Sequence, residues 1–115
     1  MLEPVLDWRT SARISAAHPC LAGHFPGNPL VPAVVLLERV LDAVHTWRGP
    51  HWRLRRLLAV KFLLPLRPGE RFEIVLRLAG TRLDFRCERE MRLLAQGSWE
   101  LAQLPIRRQA EGASP

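Results

Sequence analysis

Residues 18–38 constrain the fold of this chain more than any other stretch. They hold four of its ten prolines and two of its seven glycines, and they lead directly into an apolar run. Residues 23–29 are too rich in proline and glycine for a helix or a strand, because proline lacks a backbone donor and glycine permits unusual dihedral angles. The sequence therefore predicts a shaped loop followed by a helix.

The helix is predicted over residues 33–47, a length of about 22 Å. Pro32 suits its start, since a missing N–H costs nothing there. Residues 48–50, Arg-Gly-Pro, are typical of a helix end. Residues 33–37 are all apolar, which predicts burial on every side, and Glu38 begins a polar face in the second half.

Strand patterns dominate the rest of the chain. The predicted strands cover residues 10–15, 54–62, 71–78, 82–88 and 91–101, with a hairpin turn at 79–81. One long helix and four or five antiparallel strands predict an α+β architecture, in which a curved sheet covers the helix. Such a sheet leaves edges exposed, so two subunits are expected to pair edge to edge.

Two motifs in the right order carry a family resemblance. The first is Gly-His-Phe-Pro-Gly-Asn-Pro-Leu-Val-Pro at residues 23–32, followed by the helix with its glutamate; the second is Lys-Phe-Leu-Leu-Pro-Leu-Arg-Pro-Gly-Glu at residues 61–70. Together they resemble the signature of the 3-hydroxyacyl-[acyl-carrier-protein] dehydratases of the FabZ/FabA type, most closely the FabZ-like branch of aryl-polyene pigment clusters. The resemblance implies a hot-dog fold, an antiparallel sheet wrapped around one long central helix. We expect a single hot-dog domain at residues 1–106 and a polar C-terminal tail at 107–115.

The resemblance also implies a reaction, the elimination of water from a 3-hydroxyacyl thioester on acyl carrier protein. His24 would take the proton from C2, and Glu38 of a partner chain, held among apolar residues, would protonate the leaving hydroxyl. The backbone N–H of Ala33 would bind the thioester carbonyl. The other substrate-binding positions implied are Gly23, Phe25 and Pro32. No metal or cofactor is required.

Other interpretations stay open. The family usually has Gly at position 33, so Ala33 would suit a non-catalytic hot-dog subunit that binds acyl carrier protein or pairs with a homologous partner. A hot-dog thioesterase would hydrolyse the same thioester. The dimer could be a homodimer or a heterodimer with a related subunit. Phe62 and Phe85 would either line an acyl tunnel or fill the core, and His18 is expected to stabilise the loop.

Charge and composition limit the partners. The net charge of +6 comes from sixteen arginines and one lysine, and on electrostatics alone it admits nucleic acid, an anionic membrane or an acidic protein as partner. Among these, the family resemblance implies acyl carrier protein, an acidic protein. Tryptophans between arginines can stack on nucleic acid, but core or interface roles are more typical for Trp47, Trp52 and Trp99. Cys20 and Cys87 fit no metal or disulfide pattern. Without a leader-like start or an apolar span, we expect a cytoplasmic protein.

Overall fold

The computed structural model describes residues 4–19 and 30–105. The elements in chain order are β1 (Val5–Arg13), α1 (Ala33–Arg48), β2 (Trp52–Phe62), β3 (Arg71–Ala79), β4 (Arg82–Arg89) and β5 (Arg92–Gln103). The helix ends one residue beyond its predicted bound. The first strand differs most, because it begins at Val5 rather than at residue 10 and ends two residues early.

The five strands form one antiparallel sheet in the order β1-β3-β4-β5-β2. The central strands β3, β4 and β5 follow one another by short turns, and β1 and β2 lie at the two edges. Helix α1 packs across one face of this sheet. The predicted α+β architecture, one helix covered by an antiparallel sheet, is confirmed.

Alternating side chains of the central strands build the core beneath the helix. The inward residues are buried: Phe72, Ile74, Leu76 and Leu78 on β3, and Leu83, Phe85 and Cys87 on β4. Gly97 on β5 lies opposite Phe85. A Cβ at this position would lie 2.5 Å from the carbonyl oxygen of Ala59 and 2.7 Å from the Phe85 ring. The close fit of these strands therefore requires glycine at position 97.

Helix α1 buries one side only. Its core residues are Val35, Leu36, Val40, Ala43 and Val44. The prediction that the first five residues are buried on every side is wrong for the single chain, because Ala33 is exposed and Val34 is 59% exposed. The physical reason is that a helix lying on one sheet has a second side, and the described residues do not cover it.

The aromatic residues are used for packing. Trp52 and Trp99 are buried, and Trp47 stacks on Trp8 with ring centroids 5.8 Å apart. These positions confirm core roles, and the two buried rings are not available for stacking on nucleic acid. Phe85 packs against Trp99 at 5.2 Å. Among residues 4–19 and 30–105, no helix combines the length and apolarity needed to span a membrane.

Candidate active site

Glu38 lies in the second turn of α1 and its side chain is exposed in the single chain. It lines a groove of about 300 Å³ between the N-terminal half of α1 and the segment that follows β1. The groove residues are Arg13, Ile14, Ser15, His18, Val35, Glu38, Arg39 and Asp42. The carboxylate predicted to act in catalysis therefore faces a concave surface of suitable size for a small substrate group.

Charged groups dominate this groove. Arg39 and Asp42 form an ion pair in which the Arg39 Nη1 and Asp42 Oδ2 atoms are 3.8 Å apart. A solvent-exposed ion pair at this distance contributes little free energy to fixing the positions of its side chains. Of the apolar helix residues close to Glu38 in the sequence, Val35 lines the groove and Val34 is largely exposed. An apolar environment around Glu38 would therefore need a further surface.

A turn after β1 brings His18 into the same groove. The His18 backbone N–H donates to the Ser15 carbonyl oxygen at 3.0 Å, and the Ala17 N–H donates to Ser15 Oγ at 3.0 Å. This backbone role agrees with the structural role expected for His18, but it also places an imidazole among the residues around Glu38. No sequence periodicity indicates that His18 and Glu38 line the same groove, because they lie in different segments of the chain.

A second, apolar groove of about 250 Å³ lies at the N-terminus of α1. It is lined by Val31, Ala33, Leu36, Phe62, Leu63, Leu64, Pro65 and Leu66. The Val31 N–H donates to the Leu66 carbonyl at 2.8 Å, which fixes the start of the helix against the loop after β2. Phe62 therefore lines a groove, whereas Phe85 belongs to the core.

The helix start offers backbone donors beside this apolar groove. The Pro32 carbonyl accepts hydrogen bonds from the N–H groups of Val35 and Leu36 at 3.1 and 3.2 Å. Within the part of the chain that the structure describes, no backbone carbonyl accepts from the N–H of Ala33. Such a group at a helix N-terminus is a favourable donor to a ligand oxygen.

The other predicted site residues, Gly23, His24 and Phe25, lie outside the described residues. The structure places Ala33 and Glu38 in two separate grooves on the N-terminal half of α1, and the two grooves share no lining residue. Arg13, Ser15 and Arg39 line the Glu38 groove and were not predicted from the sequence. In residues 4–19 and 30–105 no three metal-binding side chains cluster.

The antiparallel sheet and the helix packed on it define a protein of the hot-dog class, and solved structures of this class share its fold. An uncharacterized protein from Erwinia carotovora subsp. atroseptica matches with a TM-score of 0.74 at 24% identity, over 86% of this chain and 85% of that one. The dehydratase heterocomplex ApeI:P from Xenorhabdus doucetiae matches with a TM-score of 0.69 at 26% identity, over 84% of this chain and 88% of that one.

The family follows from the sequence comparison. The model of the ApeI-like family, described as ApeI dehydratase, matches residues 5–98. The chain belongs to this family, a FabZ-like branch of the hot-dog dehydratases. It is 27% identical over 96 residues to the 3-hydroxyacyl-[acyl-carrier-protein] dehydratase FabZ of Haemophilus influenzae, covering 71% of this chain and 65% of that protein. It is 33% identical over 99 residues to FabZ of Chloroflexus aggregans, covering 84% of this chain and 65% of that protein.

Proposed function

We propose that this chain dehydrates a 3-hydroxyacyl thioester carried by acyl carrier protein, giving the trans-2-enoyl thioester and water. The observation that carries the proposal is Glu38, which lines a groove on α1 of a chain whose residues 5–98 match the ApeI dehydratase model. The FabZ relatives, named as acyl-carrier-protein dehydratases, support the substrate class. The net charge of +6 suits an acidic carrier protein.

Each step has a candidate group. Neutral His24 accepts the C2 proton, the electron pair forms the double bond, and protonated Glu38 gives its proton to the departing 3-hydroxyl, which leaves as water. The N–H of Ala33 donates to the thioester oxygen while negative charge develops there. His24 then returns its proton through solvent to Glu38, so both groups regain their starting states.

Subunit pairing completes this site. A second hot-dog subunit would cover the exposed start of α1, where Val34 is 59% exposed, and would contribute the His24 that acts with Glu38. Covering this end of the helix would also exclude water from Glu38, and a dry environment favours the protonated form of a carboxyl group. We therefore expect the working enzyme to contain two hot-dog subunits.

The test measures loss of one water from a set of 3-hydroxyacyl-carrier-protein thioesters by mass spectrometry. We expect His24→Ala and Glu38→Gln each to lower the rate by about 100-fold or more, the usual effect of losing a general acid or base. Glu90→Gln is a matched control, because Glu90 lies in the exposed turn between β4 and β5. Unchanged turnover in Glu38→Gln, or release of the free carrier thiol, would contradict the proposal.

A non-catalytic subunit is the second candidate, and Ala33 is the observation that favours it. Ala33 lies in the apolar groove at the helix start, where its methyl group adds bulk close to the donor N–H. The Xenorhabdus doucetiae neighbour is itself a heterocomplex. If the wild-type chain turns over no substrate but Ala33→Gly does, the methyl group is the obstacle and the non-catalytic role is favoured.

A further inference from the structure

The groove that holds Glu38 differs in chemistry from the groove that holds Ala33. Every residue that lines the Ala33 groove is apolar, and the two grooves share no lining residue. An acyl chain suits the apolar groove, because binding there removes its surface from water. The Glu38 groove is lined instead by four charged side chains and an imidazole: Arg13, His18, Glu38, Arg39 and Asp42. The charged groove is therefore suited to a task other than holding the acyl chain.

The proton balance of the proposed reaction identifies such a task. Each turnover leaves Glu38 without the proton that it gives to the departing hydroxyl, and leaves His24 with one proton more. Glu38 must be protonated again before the next turnover. The second subunit expected at the helix start would exclude water on that side. The charged groove opens between α1 and the segment that follows β1, so it offers protons from solvent a separate route to Glu38.

His18 lines this route, in the same groove as Glu38. A turn fixes its backbone, because the His18 N–H donates to the Ser15 carbonyl oxygen at 3.0 Å and the Ala17 N–H donates to Ser15 Oγ at 3.0 Å. An imidazole ordinarily changes protonation near pH 6.5, and it can take a proton on one ring nitrogen while it releases one from the other. A histidine here can therefore pass protons near neutral pH.

The other charged groups of the groove do not suit this role. Arg13 is the last residue of β1, and Arg39 and Asp42 lie on α1 beside Glu38. A guanidinium group keeps its proton near neutral pH, and the carboxylate of an exposed aspartate has none to give. Arg39 and Asp42 also pair with each other. The two arginines attract the Glu38 carboxylate that each turnover leaves, so its reprotonation requires a proton donor close by.

We propose that His18 is the proton relay of this site. It takes a proton from solvent on one ring nitrogen and passes a proton from the other nitrogen, through water in the groove, to the Glu38 carboxylate. His24 of the other subunit releases the C2 proton to solvent, so no proton is gained or lost over a full turnover. The inference rests on the proposed function, since it assigns the recovery step of that reaction. His18 acts on Glu38 and not on the substrate.

The test compares His18→Gln with wild type in two measurements of water loss. With enzyme in excess over a 3-hydroxyacyl-carrier-protein thioester, Glu38 starts in its protonated form, so the first turnover should keep the wild-type rate. With substrate in excess, we expect kcat to fall about tenfold, less than the loss expected when the general acid itself is removed. Imidazole added at constant pH and ionic strength should restore most of this loss and leave the wild type unchanged, because a diffusible imidazole replaces the relay.

Two controls separate proton relay from support of the turn. Ser15→Ala removes the hydrogen bond from the Ala17 N–H but keeps the imidazole of His18, so added imidazole should not restore any turnover that this variant loses. His51→Gln removes a histidine that lies beyond the C-terminal end of α1, and it should keep wild-type turnover. Circular dichroism melting checks that the variants fold. His18→Asn is a second relay variant and should behave as His18→Gln does.

The outcomes distinguish the relay from the reaction that it serves. An unchanged kcat in the His18 variants, a slower first turnover, or a loss that imidazole does not restore would overturn the relay and leave the dehydratase proposal intact. A wild-type protein that removes no water from any of the thioesters would overturn the proposed function, and the relay with it.

Discussion

Strands β4 and β2 have the same inward apolar pattern but very different surroundings. Phe85 on β4 is 1% exposed, whereas Phe62 on β2 is 45% exposed. β4 lies in the middle of the sheet between β3 and β5, and β2 lies at an edge with one neighbour. Alternation in the sequence therefore predicts which side of a strand faces inward, but position in the sheet decides whether that side is buried within one chain.

The difference separates two uses of apolar residues. In β3 and β4 they stabilise the fold of the single chain, because the helix and neighbouring strands remove them from water. In β2 and the loop after it, Leu57, Phe62 and Leu64 remain exposed, so their burial contributes to stability only when another surface covers them. The middle of the sheet should thus determine folding, and the β2 edge should determine association.

The largest expected effect comes from one matched pair of substitutions. Phe85→Ala should lower the free energy of unfolding by about 3–5 kcal/mol, the cost of removing a buried phenylalanine. Phe62→Ala should cost less than about 1 kcal/mol, because the ring is nearly half exposed before the change. Urea unfolding checks both values at a protein concentration too low for association. Similar losses of unfolding free energy in the two variants would show that the Phe62 ring is as well buried in the single chain as the Phe85 ring.

The interior of β4 also predicts a pH effect. Burial, with a smaller contribution from Glu88, raises the pKa of the Cys87 thiol from 9.0 to about 12. The thiol in the unfolded chain ionises near pH 9 while the folded one stays neutral, so the unfolded state binds fewer protons between these values. This group therefore does not affect stability below about pH 9, and above that it lowers stability by about 1.4 kcal/mol per pH unit.

Comparison with Cys87→Ala isolates that thiol. Urea unfolding at about pH 8 and pH 10 should show the wild type losing about 1.4 kcal/mol more than the variant. Other titrating groups are shared by the two proteins and cancel in the difference. Equal losses of unfolding free energy in the two proteins would mean that water reaches the Cys87 thiol in the folded state. This part of β4 would then be less buried than the structure indicates.

Much of the fold could be predicted from the sequence, because the local sequence patterns of the central strands and the helix agree with how these elements pack in the folded chain. The alternation in residues 71–78 and 83–87 gave the inward side of β3 and β4 correctly, and the proline and glycine residues around the helix gave its bounds. The bounds of the turn between β4 and β5 were predicted less accurately. Glu90 and Met91 both adopt positive φ angles, 52° and 65°, and neither is a residue type that signals such a turn.

The candidate site was less predictable, because it depends on distant parts of the chain. Motif spacing pointed to Glu38 and Ala33, but it could not show that Arg13 and His18 line the Glu38 groove, since no local pattern links β1 to α1. The exposure of Val34 was also missed. An all-apolar segment predicts burial, but the covering surface does not have to come from the same chain.

The smallest expected effect concerns the outward side of the central strands. Ser98 Oγ on β5 donates to Asp84 Oδ1 on β4 at 2.6 Å, and Arg82 Nη2 donates to the same hydroxyl at 3.2 Å. The equivalent position on β2 is Ala59, which cannot make these bonds. Ser98→Ala should cost about 1 kcal/mol in urea unfolding, the net value of a typical hydrogen bond. Ser11→Ala on β1 is the control, since Ser11 is exposed, and it should cost less. If Ser98→Ala lowered the free energy of unfolding as much as Phe85→Ala, hydrogen bonds on the outward side would distinguish the middle of the sheet from its β2 edge. Apolar burial beneath the helix would then not be the main difference.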